Sequence, residues 1–563
     1  MIALAGFLAS VLHGLALIGL AAATGGLVFV LTVLRPIVTD PALRATATTR
    51  ALRWMAGGAL FMAANRIVGL LLAPWALADE FGLWPLSTYM ETGFARATVV
   101  SIALALLFAA LARAQSRRGD DARTWGPLVL AATCLFVAGA WLTHGTSRLS
   151  DAGLLMTATV AHQVGAAVWV GGILNLLLVR RAALDYSADQ LLWARLLARF
   201  SPVAMVATGT ILAAGIVLAW RYVGSWASVV GTSYGIMMLA KIGLFGTALG
   251  LAALNLAATR RAIAGVESGA VRKFVPAYVE AEFSIVLVVL LAAAALAAQP
   301  PAVDLSGDRA TLAEVLGTLA PKVPQLVPPP HDALMADTSP ALDFYNGPTA
   351  TDRLMSNFNH NVAGMFVLLI GLGALLDRIR PRRWTRHWPL LFLPFSLVLL
   401  IIAEPTGWPM GDEGFFETLA SPGVLQHRMA TLLVAVLGLA EWQVTTGRLR
   451  GTRGVFAFPA LCVVGGAMLL THTHAQFGAK IDFLIEISHS LIGVLAVLMG
   501  TGRWLELRMP ADRRRLPGLA WTACFAAVGF VLITYREEVP AAVPDPVAVL
   551  APPAAAVADT AAP

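Results

Sequence analysis

Long, nearly uninterrupted apolar segments recur along the whole chain, and they constrain its fold more than any other feature. Residues 15–34 contain only two hydroxyl side chains, Thr24 and Thr32, and residues 283–298 contain only Ser284. Such segments, with their flanks, can cross a hydrocarbon core of about 30 Å as helices that rise about 1.5 Å per residue. The apolar residues are continuous and do not alternate with polar ones, which argues against membrane-spanning strands. The chain has only 13% charged residues, against roughly 25% in soluble proteins, so lipid is its predicted solvent.

The spacing of these segments predicts an all-α fold, a polytopic membrane bundle of about fourteen transmembrane helices. The predicted spans are residues 5–33, 54–77, 96–114, 126–144, 152–179, 201–221, 234–256, 279–298, 358–376, 389–404, 427–443, 455–474, 483–501 and 518–535. The first of them has no basic residues before its apolar run and is too long for a cleaved signal, so we expect it to be retained.

Alternate loops between the predicted spans carry most of the 40 lysine and arginine residues. Because basic loops stay on the cytoplasmic side of a membrane, this asymmetry predicts that both termini face the periplasm. The net charge of +7 belongs to these loops, so we expect no nucleic-acid partner.

A polar, proline-bearing stretch separates the spans into two groups. We predict an eight-helix membrane domain at residues 1–301 and a six-helix, histidine-rich membrane domain at 358–535. A periplasmic linker at 302–357, with a short helix near 312–319, joins them. Residues 536–563 are rich in Ala, Pro and Val and have few charges, so they cannot bury a core and are predicted to form a disordered periplasmic tail.

Nine of the ten histidines fall on the predicted periplasmic side, and eight of these lie inside spans or at their ends. Polar groups inside a span are costly and usually face the bundle interior, and neutral imidazole is a ligand for copper, zinc, iron and nickel. The shared depth of the eight side chains therefore predicts metal or haem ligation. We expect two separable sites, one formed by the first three residues and one by the last five of this set: His13, His144, His162, His360, His427, His472, His474 and His489.

His472 and His474 are two residues apart, so they point to nearly opposite sides of a helix but to the same side of an extended segment. Either the helix ends by Thr473 or only one of the two is a ligand. The three cysteines have no spacing typical of a disulfide or a thiolate metal site. The chain also lacks a phosphate-binding loop and a nucleophile with a nearby base, so we expect no enzymatic activity.

Several segments of the first domain occur in order along the chain: LTHG at 142–145, VAHQVGAAVWVGG at 160–172, RFSPVAMVATGTILAAGIVLAW at 199–220, GTSYGIMMLAKIGLF at 231–245, and a last span between Glu280 and Gln299. This succession resembles the bacterial copper resistance D (CopD) family over roughly residues 1–301. The resemblance implies a multi-pass inner (plasma) membrane protein of copper homeostasis or resistance that imports or transfers copper from the periplasm. It also implies a separate periplasmic copper-binding protein as a partner, and it marks His144 and His162.

Two other functions fit the same histidines. A haem b electron carrier would use two histidines at equal depth on two helices as axial ligands, such as His13 with His162 or His427 with His489. The predicted inner halves of the spans offer no histidine pair for a second haem, which disfavours this alternative. A copper donor that faces the periplasm and assists assembly of another cuproenzyme would need binding without transport.

Overall fold

The structure is a computed structural model whose regular elements, within the described part of the chain, are all helices. The described residues are 2–82, 84–118, 125–143, 151–181, 191–266, 269–305, 307–336, 350–404, 407–411, 414–419, 422–451, 453–471 and 480–537. The predicted all-α fold is thereby confirmed. The predicted tail lies outside the described residues from residue 538 onward.

Eight long helices form the first half of the chain. They are α1 (Ile2–Phe29), α2 (Pro41–Phe81), α3 (Gly93–Arg118), α4 (Trp125–Trp141), α5 (Ala152–Arg181), α6 (Leu192–Val223), α7 (Ser233–Ile263) and α8 (Val275–Ala298). Local sequence sets several of their starts. Asp40 accepts a hydrogen bond from the Ala42 amide before α2, and Thr232 accepts one from the Gly235 amide before α7, so each satisfies an amide that has no partner within its helix.

The second half contains a short helix, α9 (Leu312–Leu319), and six longer ones. These are α10 (Ala350–Ile379), α11 (Phe392–Ile402), α12 (Pro422–Thr445), α13 (Ala457–Thr471), α14 (Lys480–Arg508) and α15 (Arg515–Ile533). The predicted linker helix is confirmed as α9, which begins with a capping box between Thr311 and Glu314. Helix α10 begins at Ala350, earlier than the predicted span, so the end of the linker is helical.

A helix lies at each of the fourteen predicted spans, and twelve segments of the described chain are long and apolar enough to cross a membrane. The predicted fourth span corresponds to α4, which has 17 residues, and the predicted eleventh corresponds to α12; neither is among the twelve. The chain is a multi-pass helical membrane protein. The number of crossings and the side on which the termini lie stay predictions.

Glycine allows α1 and α5 to pack in direct backbone contact. A Cβ atom on Gly25 would lie 2.0 Å from the Ala167 carbonyl oxygen, and one on Gly171 would lie 2.4 Å from that of Ala21. No other residue fits at that separation, which is typical of small-residue contacts between membrane helices.

Helices of the second half pack against the hydrophobic core of the first half, beside a second cluster of their own. Leu470 of α13 and Val497 of α14 are fully buried in the cluster built mainly by α1 to α8. The linker adds contacts at one end of both halves: the Ala310 amide donates to the Gly231 carbonyl at 2.9 Å, and Lys480 pairs with Glu314 at 2.6 Å. The linker therefore lies across the interface between the halves.

Candidate functional site

Five of the eight predicted ligands lie in the described part of the chain. His13 and His162 belong to the first half, and His360, His427 and His489 belong to the second. His144, His472 and His474 lie outside the described residues. We call the end of the bundle that carries these five side chains the histidine end.

His360 of α10 and His489 of α14 face each other. Their ring centroids are 5.9 Å apart and the ring planes cross at 85°. An imidazole nitrogen lies about 2.0 Å from a bound first-row ion such as zinc, which puts each ring centroid about 3.2 Å from it. Two rings that share one ion at bond angles between tetrahedral and linear then have centroids about 5 to 6.4 Å apart. The observed separation therefore suits a shared ion.

Backbone carbonyls fix the tautomer of both rings. Nδ1 of His360 donates to the Ser356 carbonyl at 2.8 Å, and Nδ1 of His489 donates to the Ile485 carbonyl at 3.1 Å. A carbonyl oxygen can only accept, so in the neutral imidazole the lone pair is on Nε2. Metal-ligating histidines commonly use one nitrogen for the ion and donate the other N–H to an oxygen in this way.

The chain that follows α15 closes over this pair. The Tyr535 ring centroid lies 4.6 Å from that of His360. Glu537 accepts hydrogen bonds from the Ser356 hydroxyl at 2.5 Å and from the Tyr535 hydroxyl at 3.0 Å. Asn361 donates to the carbonyls of Leu532 and Tyr535. These bonds hold a carboxylate and a phenol beside the two imidazoles.

His427 has a carboxylate partner instead of a carbonyl. Its Nδ1 donates to Glu404 Oε1 at 2.5 Å, and its side chain is 58% exposed. The contact orients the ring and leaves Nε2 as the acceptor nitrogen of the neutral form. Within the described residues, no group of three or more His, Cys, Asp or Glu side chains is arranged to hold a metal ion. The described part of the second predicted site thus supplies a pair, with His427 as a separate oriented imidazole.

His13 and His162 line one cavity of about 360 Å³ enclosed by α1, α5, α6, α7 and α8. These two residues thus lie on the same cavity, and metal ligation by them stays a prediction. Nδ1 of His162 donates to the Ile211 carbonyl at 3.0 Å, so this ring has the same tautomer as the other pair. Lys241 also lines the cavity. Most of the remaining wall is aliphatic or aromatic.

The sequence reasoning missed a buried carboxylate behind this cavity. Glu282 is 4% exposed and accepts hydrogen bonds from Trp169 Nε1 at 3.0 Å and from Asn255 Nδ2 at 2.8 Å. The Trp169 ring is itself buried, with 2% of its surface exposed, and packs against Phe245. A carboxylate two residues after Glu280 in an otherwise apolar helix was the available signal.

Comparison with known proteins identifies the region that forms one wall of the cavity. Residues 194–296 match the sequence model of the family described as Copper resistance protein D. This part of the chain is similar to a CopD domain. This domain corresponds to α6, α7 and α8, and it confirms the resemblance drawn from the motifs.

A curated relative supports the same family. The chain is 28% identical over 216 residues to the copper transport protein CutJ of Bacillus subtilis (strain 168). The alignment spans 38% of this chain and 38% of that protein. No solved structure matches the chain.

Proposed function

We propose that this chain is a copper-binding protein of the bacterial inner membrane that takes copper from the periplasmic side and imports or transfers it. The copper is bound between His360 and His489 at the histidine end. A separate periplasmic copper-binding protein delivers the ion. No enzymatic step is part of this function.

The single observation that carries the proposal is the facing pair of imidazoles. Their 5.9 Å centroid separation suits one shared ion, and both N–H groups are already directed to backbone carbonyls. Neutral imidazole suits Cu(I) and Cu(II) alike. The CopD-family domain supports copper over the other ions that imidazole binds.

Import needs no nucleotide. The membrane potential draws a monovalent cation inward with about 2.3 kcal/mol per 100 mV. The proposal rests on the His360–His489 pair alone, and copper ligation by His13, His144 and His162 stays a prediction from the sequence. A donor for cuproenzyme assembly would show the same binding without import, so an uptake measurement separates the two roles.

The shared cavity of His13 and His162 favours one other function, haem b electron transfer, because axial ligation needs two histidines on one cavity. Metal analysis and an absorption spectrum of the purified protein distinguish the two. We expect bound copper without a haem Soret band. Stoichiometric haem in the purified protein would contradict the copper proposal and support haem b electron transfer.

Uptake tests the transport step. Cells that express the wild-type chain should accumulate more radioactive copper than cells that express the His489→Ala variant at equal level. Equal accumulation by both, with copper still bound to the wild-type protein, would contradict import and leave the donor role.

A further inference from the structure

The cavity in the first half has the size and walls of a site for an organic molecule. Its volume of about 360 Å³ lies within the range of roughly 300 to 1,000 Å³ that is usual for small-molecule pockets, whereas a metal ion needs little of this space. The partly exposed ring of Phe245, backed by Trp169 at 5.3 Å, forms part of its wall. It can pack against a planar ring.

The cavity opens on the lipid-facing surface of the bundle. Three of its lining residues are large apolar side chains exposed on that surface: Leu212 and Ile216 of α6 are 48% and 66% exposed, and Ile242 of α7 is 55% exposed. They lie about 10 to 16 Å along their helices from the nearer end. A ligand would therefore enter between α6 and α7 from the hydrocarbon region.

Polar groups are few and include both hydrogen-bond donors and acceptors. Lys241 makes no hydrogen bond or ion pair with another residue in the described part of the chain, although an ammonium inside a membrane is costly without a partner. Gln163 Oε1 is buried and has no hydrogen-bond partner among the described residues. The neutral His162 ring, held by the Ile211 carbonyl, offers its Nε2 as an acceptor.

We propose that this cavity binds the ring of a membrane-soluble quinone, with its isoprenoid chain leaving between α6 and α7. The Lys241 ammonium donates to a quinone carbonyl. In the reduced form, a quinol hydroxyl donates to His162 Nε2. The site thus supplies partners for both forms of one ligand. The proposal goes beyond copper binding and does not depend on it.

Binding of decylubiquinone to the purified full-length protein in nanodiscs tests the site. Two matched variants lie on α6: Ala219→Phe fills the cavity, and Ala213→Phe changes an exposed position that does not line it. We expect saturable binding to the wild type and to Ala213→Phe, and loss of binding in Ala219→Phe.

A second variant guards against misfolding of the first. Lys241→Met keeps the length of the side chain and removes the donor, and should weaken decylubiquinone binding roughly tenfold, as loss of one charge-assisted hydrogen bond does. Unsaturable binding, or equal affinity in the wild type, Ala219→Phe and Lys241→Met proteins, would overturn the proposal. Haem or phospholipid as the stoichiometric occupant of the purified protein would also overturn it. His360→Ala should abolish copper binding and leave quinone binding unchanged. Failure of the copper proposal and failure of the quinone proposal can therefore be distinguished.

Discussion

The two ends of the bundle use their polar side chains in different ways. At the end opposite the histidines, here called the arginine end, buried charges pair with one another. Arg503 lies 2.6 Å from Glu441, Arg378 lies 2.8 Å from Glu506, and Glu280 of the first half accepts from Arg508 of the second half at 2.9 Å. At the histidine end, the imidazoles donate one N–H to a carbonyl or carboxylate and have their lone pair on the other nitrogen.

This difference separates structural from functional polar groups. In a buried ion pair, the attraction between the two charges offsets the cost of their desolvation and holds the helices in register. Such a pair needs no ligand to neutralise its charges. An oriented imidazole has an acceptor nitrogen that a metal ion can use. The arginine end should therefore control stability, and the histidine end should control binding.

The comparison requires that the two ends face opposite sides of the membrane. A reporter enzyme that is active on one side only should therefore show either full activity or none. A periplasm-active reporter such as alkaline phosphatase, fused after Val539, should be fully active, because arginine-rich loops stay in the cytoplasm. The same reporter fused within the loop after α10, near Arg382, should be inactive. An active cytoplasmic reporter after Val539 would reverse the assignment of the ends.

The largest effect on stability should come from the arginine end. Replacing Glu441, which is fully buried, by alanine leaves two arginines, the buried Arg503 and the largely buried Arg378, to share the single carboxylate of Glu506. The free energy of unfolding in detergent should fall by about 3 to 5 kcal/mol. Asp512→Ala is the control, because its side chain is 75% exposed at the same end. Equal stability of the two variants would contradict a structural role for the ion pair. The amount of copper bound per folded Glu441→Ala protein should stay at the wild-type value.

A smaller effect is expected when the orientation of an imidazole at the histidine end is loosened. Glu404→Gln weakens the bond that orients His427. If His427 completes the second copper site, copper affinity should fall about tenfold, with little change in stability. Titration of the purified protein with a competing copper chelator measures it. Unchanged affinity would exclude His427 from the site.

The smallest effect concerns the docking of the linker helix on α14. Hydrogen bonds from Lys480 and then Thr311 lower the pKa of Glu314 to about 2. A lowered pKa means that the stabilisation is complete above the ordinary carboxyl pKa of about 4.3 and is lost as the pH falls toward 2. The protection factors of the α9 amides, which correct for the pH dependence of intrinsic exchange, should be lower at pH 3 than at pH 7. The difference should correspond to less than about 1 kcal/mol, because the pair is solvent-exposed. Glu314→Gln should show the lower protection factors at both pH values. Equal protection factors at pH 3 and pH 7 in the wild type would contradict this account.

The position of each described histidine along its helix could be predicted from the sequence, because helical rise converts residue number into distance along a span. Which helices are neighbours could not. His489 was paired with His427 as possible haem ligands, but α10 brings His360 to His489, and His427 contacts Glu404 instead. Pairing depends on the rotation and packing of helices that are far apart in sequence.

Polar contacts inside the bundle also could not be predicted from the sequence. Continuous apolar segments indicated the spans. Glu282 was not singled out, because a single carboxylate in a span does not reveal its partner; Trp169 lies on a different helix. The cavity could not be predicted from the sequence either, because five helices that are far apart in the sequence form its wall.

The central claim is that His360 and His489 hold copper, and metal analysis of three variants tests it most directly. His360→Ala and His489→Ala are compared with the control variant His387→Ala. His387 lies after α10, and its Nδ1 accepts a hydrogen bond from Trp442 Nε1, so its neutral ring has the opposite tautomer. At equal expression and folding, we predict that the first two variants each lose one copper per protein relative to the wild type while His387→Ala retains it. Unchanged copper in both His360→Ala and His489→Ala would contradict the claim.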